Sequence, residues 1–388
     1  MNLADLPDLK TSERLLRELV GRQSDVSPCK VDRPLVLYGA GSLGVLAADL
    51  FERLKIPIAY ALDRRPPADG LLNGRIPVLT PEQAPEADRR SHRLAFSIVN
   101  FPFKPARKTL VDMGWKHITP VYDILDYYSD RLPMRNGWFS GLLSNEDTAK
   151  IHSVLGGWHD DRSRAAYLQV LAWRILRREW FFDGAPVTVE DRYFIPPVTS
   201  VLHSHECFLD AGAYRGDVLR KFITITKGAF GKILAIEPDR ENRIHLRKNV
   251  DSLAVSVSGR IEIQEVALGA VEGTGAYSHG MGIAARLLSE EGADVRIARL
   301  DNLDFPVSFA KIHLEGGELE ALRGGLAFLR RNRPLLAITA YHNRDGLWRI
   351  PDLLMNSLQD YRFLTRLHAW CGTGCAIYAI PMERCNSV

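Results

Sequence analysis

Two acids each close an apolar stretch in the second half of the chain, and glycines follow the first. In FLDAGAYRGD (208–217) an apolar run stops at Asp210, turns through Gly212 and Ala213, and meets a helix-forming stretch near Gly216. In IEPD (236–239) Glu237 precedes Pro238, 21 residues after Gly216. Glycines permit tight turns and leave main-chain N–H groups open to a ligand. An acid ending the next strand can accept hydrogen bonds from both hydroxyls of a ribose. The same residues also suit a plain strand–turn–helix with a surface acid, but the two signals together favour a nucleoside site. A dinucleotide would want G-x-G-x-x-G, so that its pyrophosphate rests on a helix N-terminus. Tyr214 stands at the second glycine position, and Asp210 would repel a diphosphate. A negative charge there suits the zwitterionic, sulfonium-bearing end of S-adenosylmethionine better.

A second glycine signal lies near the N-terminus. LYGAGSLG (37–44) places Gly39, Gly41 and Gly44 as G-x-G-x-x-G between a strand and a helix, and Asp63 ends the next strand 19 residues on. That context fits binding of a nucleotide, a nucleotide sugar or NAD. It equally fits a scaffold used for packing or for homo-oligomer formation, since fold does not fix function. On YGAG, the Asp63 strand end and GRIPVLTPE, residues 33–100 resemble the small Rossmann-like domains in front of sugar acetyltransferases and at the tail of some sugar C-methyltransferases.

The elements that position these residues alternate between strand and helix. A leading helix is predicted over 3–22 within residues 1–30. Strands at 33–41, 56–63, 93–100 and 116–125 then build a small domain over 31–128. Residues 129–200 read as a helical connector, with Asp160 and Asp161 where a helix cap would stand. A domain over 201–388 repeats the alternation, with strands at 206–213, 232–239, 261–269, 309–315, 334–342, 361–369 and 375–381. Helices fit at 216–228, 239–250, 318–331 and 347–358. The last two strands are close enough to form an antiparallel hairpin. The fold class is therefore α/β: a mostly parallel Rossmann-like sheet with an antiparallel C-terminal hairpin, the class I methyltransferase layout, preceded by a smaller Rossmann-like domain and a connector. The glycine-rich stretch 270–297 is predicted to form a flap or hairpin over the cofactor, or a solvated loop without a role.

At this level the chain resembles the FkbM-type methyltransferases over about residues 190–381. The resemblance is carried by RYFIPPV, FLDAGAYRGD, ILAIEPDRENRIHLRKN, EVALG, ARLDNL, KIHLEGGELEALRGG, RPLLAITAYHNRDGLWRIPDLL, YRFLTRLHA and CAIYAIP. It implies transfer of the S-adenosylmethionine methyl group, usually to hydroxyl oxygens of sugars or natural products. It also implies cofactor roles for Asp210, Gly212, Gly216, Glu237 and the strand end Val266, Ala267 and Leu268. Where the family has K-x-D-x-E-G-x-E, this chain has Lys311, His313, Glu315 and Glu318. His313 thus replaces an acid. It could serve as the base that takes the acceptor's proton, mark a lost function, or be a histidine satisfied by Glu315. Asp301, which matches a family acid before the fourth strand, and His342, which ends the fifth strand above the same crevice, are further catalytic candidates for assisting that proton, and Glu315 is a fourth, unless it only shapes the strand-to-helix turn. Glu318 opens a helix, where it either compensates the dipole or meets the substrate.

Composition sets the outer limits. The 388 residues are 46% hydrophobic and 25% charged, enough for ordinary packed domains. A formal net charge of +3 with no basic block gives no footprint for nucleic acid. No apolar stretch reaches the length of a membrane span. Five cysteines without metal-site spacing fit a reducing cytoplasm, and no metal site is expected. The partner expected is a small-molecule or saccharide acceptor. Two other readings stay open: a protein acting through its N-terminal nucleotide or NAD site, and a cofactor-binding module without catalysis.

Overall fold

The computed structural model describes residues 2–3, 5–132, 136, 139–277 and 295–385. The chain divides into two compact units that interleave in sequence. One comprises Met1–Ser144, Ala165–Val189 and Leu367–Gly374, and the other Asn145–Arg164, Glu190–Arg366 and Cys375–Val388. The stretch expected as a connector is thereby shared between them. Its helices are Asn145–Gly157 and Asp161–Leu176, and Asp160 caps the second by accepting the Ser163 amide at 2.7 Å. Among the described residues no helix is long and apolar enough to cross a membrane.

In the first unit, six strands line up in the order Leu71–Leu72, Ile76–Leu79, Ile58–Leu62, Leu35–Tyr38, Arg93–Phe96 and His117–Pro120. All neighbours are parallel except the first pair. Leu35–Tyr38 is buried throughout, which its unbroken apolar run requires of a strand covered on both faces. The glycine spacing has a packing cause here. A Cβ on Gly44 would stand 2.1 Å from the Gly39 carbonyl oxygen, so the helix Ser42–Arg53 can approach the strand only with glycine at that position. Two sequence expectations need correction. The leading helix is Leu9–Val20, begun by Asp8, whose carboxylate accepts the Thr11 amide. The strand predicted over 116–125 stops at Pro120, and Val121–Tyr127 is a helix. Proline cannot donate to the ladder, and buried Val121, Ile124 and Leu125 have the spacing of a helix face.

The second unit is built on a seven-stranded sheet ordered Ile261–Gln264, Lys232–Ile236, Cys207–Ala211, Phe309–Ile312, Leu335–Thr339, Cys375–Pro381 and Tyr361–Leu367. Counted along the chain this is 3-2-1-4-5-7-6, with the first five strands parallel and Cys375–Pro381 antiparallel to Leu335–Thr339. The order reverses between Cys207–Ala211 and Phe309–Ile312, and ligands of open α/β sheets bind outside the strand ends at such a point. Beneath it Phe208, Phe222 and Phe309 pack, with the first ring 4.5 and 4.9 Å from the other two. The strand predicted over 261–269 is two strands. Ala267–Leu268 leaves the large sheet and pairs with Val295–Ala298, which also pairs antiparallel with Gly273–Gly275. These pairings frame the predicted flap, and its residues 278–294 lie outside the described residues. The helix predicted over 318–331 breaks into Glu318–Arg323 and Leu326–Asn332. Gly324 and Gly325 part them, because a Cβ on Gly324 would meet the Gly269 oxygen at 2.2 Å.

Candidate functional site

The site begins with two adjacent parallel strands in register. Asp210 pairs across the ladder with Lys311, and both side chains are buried. Lys311 Nζ lies 2.9 Å from Asp210 Oδ1 and donates to the Gly212 carbonyl at 2.7 Å. Asp210 therefore does not present a free negative charge, as the sequence suggested; Lys311 balances it. Its second oxygen, Oδ2, is buried and has no hydrogen-bond partner among the described residues.

Gly212 has φ +77°, and a Cβ there would stand 1.9 Å from the His313 carbonyl oxygen. Glycine is thus required by the crossing of two chain segments, before any ligand is considered. The amides of Gly212 and Ala213 both donate to the Ile236 carbonyl. Gly216, at φ +91°, opens the helix Asp217–Ile225 and leaves room for Leu246. Glu237 closes the turn: Oε2 accepts the Tyr214 amide at 2.7 Å and Oε1 the Asp239 amide at 2.9 Å. Burial pushes its carboxyl up to about 7, against the pull of those two amides. The Pro238 carbonyl is held by Arg243 at 2.9 Å, and Val266, Ala267 and Leu268 are buried.

A second cluster forms where the next strands end. His313 follows Phe309–Ile312 and His342 follows Leu335–Thr339, so neighbouring parallel strands deliver both imidazoles to one edge. The rings stack at 4.9 Å. Glu315, in the left-handed region at φ 49°, turns its carboxylate to both rings. His313 Nε2 is 2.8 Å from Oε1, and His342 Nε2 is 3.4 Å from Oε2. On the far sides, His313 Nδ1 meets the Tyr193 hydroxyl at 2.6 Å and His342 Nδ1 meets Glu318 at 2.6 Å.

Glu318 does more than balance a helix dipole. It is buried, accepts the Thr339 hydroxyl at 2.7 Å, and receives the Leu314 and Gly316 amides at 3.0 Å each. Burial would raise its carboxyl, but His342 and these donors hold it below the usual range. Burial likewise lowers His342, and Glu315 and Glu318 outweigh it to raise the imidazole. Burial, with Arg192, His342 and Lys311 nearby, drives His313 well below its ordinary value. Arg192 donates to the Tyr341 hydroxyl at 2.9 Å and lies 5.0 Å from the centre of the Tyr193 ring.

Of the expected catalytic residues, His313, His342 and Glu315 come together and Asp301 does not. The Asp301 carboxylate accepts the Phe328 amide at 2.8 Å, within the first turn of the helix Leu326–Asn332, and pairs with Arg299. The Phe328 contact satisfies one of the free amides at the start of the helix from across the fold. Arg192 and Tyr193 carried no role in the sequence, because nothing local marks a contact across 120 residues. In the first unit, Asp63 spends its carboxylate on the Ala40 and Arg65 amides, at 2.8 Å each.

Residues 210–365 match the family model described as the methyltransferase FkbM domain. Among solved structures, the chain is similar to methyltransferase FkbM from Methylobacillus flagellatus KT, at 18% identity and a TM-score of 0.60, over 94% of this chain and 93% of that one. This shows a shared fold along nearly the whole chain. A precorrin-6y C5,15-methyltransferase from Geobacter metallireducens GS-15 aligns at 15% identity over 51% of this chain and 93% of its own, with a TM-score of 0.29, too low to carry an argument. No curated protein matches.

Proposed function

Proceeding from the FkbM methyltransferase domain at residues 210–365, we propose that the protein transfers a methyl group from S-adenosylmethionine to a hydroxyl oxygen of a saccharide or related small molecule. The observation that carries this reading is Glu237. Each of its oxygens accepts one backbone amide beside the Gly212 turn, leaving lone pairs for two ribose hydroxyls. Asp210 Oδ2 adds a buried acceptor that lacks a donor, which a ligand ammonium would supply. Buried Val266, Ala267 and Leu268 follow the third strand and offer an apolar side to an adenine.

S-adenosylmethionine, if bound there, would supply an electrophilic sulfonium methyl, its C–S bond giving way to a C–O bond on the acceptor, whose hydroxyl proton must be removed. The chain's part is positioning and proton removal. Glu315 faces both imidazoles and can take that proton, and the two carboxylate neighbours of His342 raise its imidazole above the ordinary value. His313 and Tyr193 fix the other side of the carboxylate.

Incubation with methyl-labelled S-adenosylmethionine and a panel of saccharides and polyols is expected to move label into a base-stable ether. Absence of both labelled product and S-adenosylhomocysteine across the panel contradicts the reading. The pH dependence of cofactor binding follows from Glu237. The carboxylate form accepts ribose hydroxyls, and protonation removes acceptor capacity. Affinity should therefore weaken as pH falls below about 7, approaching tenfold per unit, measured by calorimetry. Glu237→Gln should bind weakly and without that pH slope.

A further inference from the structure

The His313–Glu315–His342 cluster is arranged for more than a shared proton. One ligand atom from each residue lies within 4.8 Å of the other two. Ligands about 2.1 Å from a common ion sit about 3.0–3.4 Å apart in octahedral or tetrahedral sites. The observed separations, 2.8 Å from His313 Nε2 to Glu315 Oε1 and 3.4 Å from His342 Nε2 to the other carboxylate oxygen, Oε2, are close to that spacing, so each imidazole faces its own oxygen of one carboxylate. The outer nitrogens point the same way. Histidines that bind metals have the far ring nitrogen held by a hydroxyl, carboxylate or carbonyl, which aims the near one. Here the Tyr193 hydroxyl holds His313 and Glu318 holds His342, and Glu318 is itself fixed by Thr339 and two amides. Glu315 keeps a strained backbone to reach both rings. The charge balance permits a cation. Glu315 and Glu318 face the rings, Lys311 is neutralised by Asp210, and Arg192 is engaged with Tyr341. His313 and Glu315 side chains are 20% and 22% exposed, so the cluster is reachable from solvent.

We propose that His313 Nε2, His342 Nε2 and the Glu315 carboxylate bind a first-row divalent transition ion, with the remaining positions open to water or a substrate oxygen. Two imidazoles and one carboxylate suit Mn, Fe, Co or Zn rather than Mg or Ca, which take all-oxygen sets. The role of the open positions rests on the methyl-transfer reading: an acceptor hydroxyl bound there would lose its proton to solvent more readily, with Glu315 then a ligand to the ion in place of the base.

The test uses the full chain, stripped with a chelator and titrated with Co2+ while visible absorption is recorded. One equivalent should give saturating d–d bands. His342→Ala and Glu315→Gln should abolish them, and Tyr193→Phe should weaken binding about tenfold. The His203→Ala/His205→Ala variant should bind like the parent, since that stacked pair lies outside the cluster. Thermal melts without metal confirm that each variant folds; one that does not is replaced by His313→Gln. Absence of Co2+, Mn2+, Fe2+ and Zn2+ binding to the parent overturns the proposal, as does binding unchanged in Glu315→Gln and His342→Ala. S-adenosylmethionine titration of the same stripped protein reads the methyl-transfer proposal separately.

Discussion

Lys311→Met is expected to lower the stability of the second unit by about 3–5 kcal/mol, the cost of leaving one charge of a buried pair without its partner. Lys311 and Asp210 face each other in register on neighbouring parallel strands, at the centre of the sheet. Asp210 Oδ1 has Lys311 Nζ at 2.9 Å, Oδ2 has no partner among the described residues, and the Gly212 carbonyl shares the same ammonium. Methionine would fill the space of the lysine stem and strand Asp210 Oδ1 and the Gly212 carbonyl. The double variant Asp210→Leu/Lys311→Met should recover more than half of the loss, because it removes the buried charge together with its counter-ion. Chemical denaturation measures both. A loss under about 1 kcal/mol for Lys311→Met would show that the carboxylate is solvated or protonated.

Gly212→Ala should cost about 3 kcal/mol or more and reduce methyl transfer with it. Two penalties coincide. The backbone sits at φ +77°, and the new methyl would stand 1.9 Å from a backbone oxygen that no rotamer change can move aside. That oxygen belongs to His313, so relief must shift the strand end that carries the imidazole. Gly41→Ala is the matched comparison. Its φ is −77° and nothing lies within 4 Å of the added methyl, so stability should change by less than about 0.5 kcal/mol. Equal effects at the two positions would mean that the crossing at Gly212 is looser than described.

The sheet of the second unit was readable because its central strands are unbroken apolar runs ended by polar residues, as at Asp210 and Glu237. Backbone close approaches were less readable. Gly324 and Gly325 look like helix residues until the Gly269 carbonyl is seen against the first and Leu300 against the second, and Val121 looks like strand until Pro120 is recognised as a stop. The site was legible one residue at a time and opaque in its pairings. His313, Glu315 and His342 stood out as reactive types at strand ends. The balancing of Asp210 by Lys311, the capping duty of Asp301 and the hold of Tyr193 on His313 are contacts across the fold. Sequence spacing does not encode such partners, because strand order brings them together.

Calorimetric titration of the full chain with S-adenosylmethionine at pH 8 bears most directly on the Glu237 site. One site with a dissociation constant below about 1 mM is predicted for the parent, weakened at least tenfold in Glu237→Ala and unchanged in Gly41→Ala. Neither heat nor a thermal shift with the parent, or equal affinity in Glu237→Ala, would contradict it.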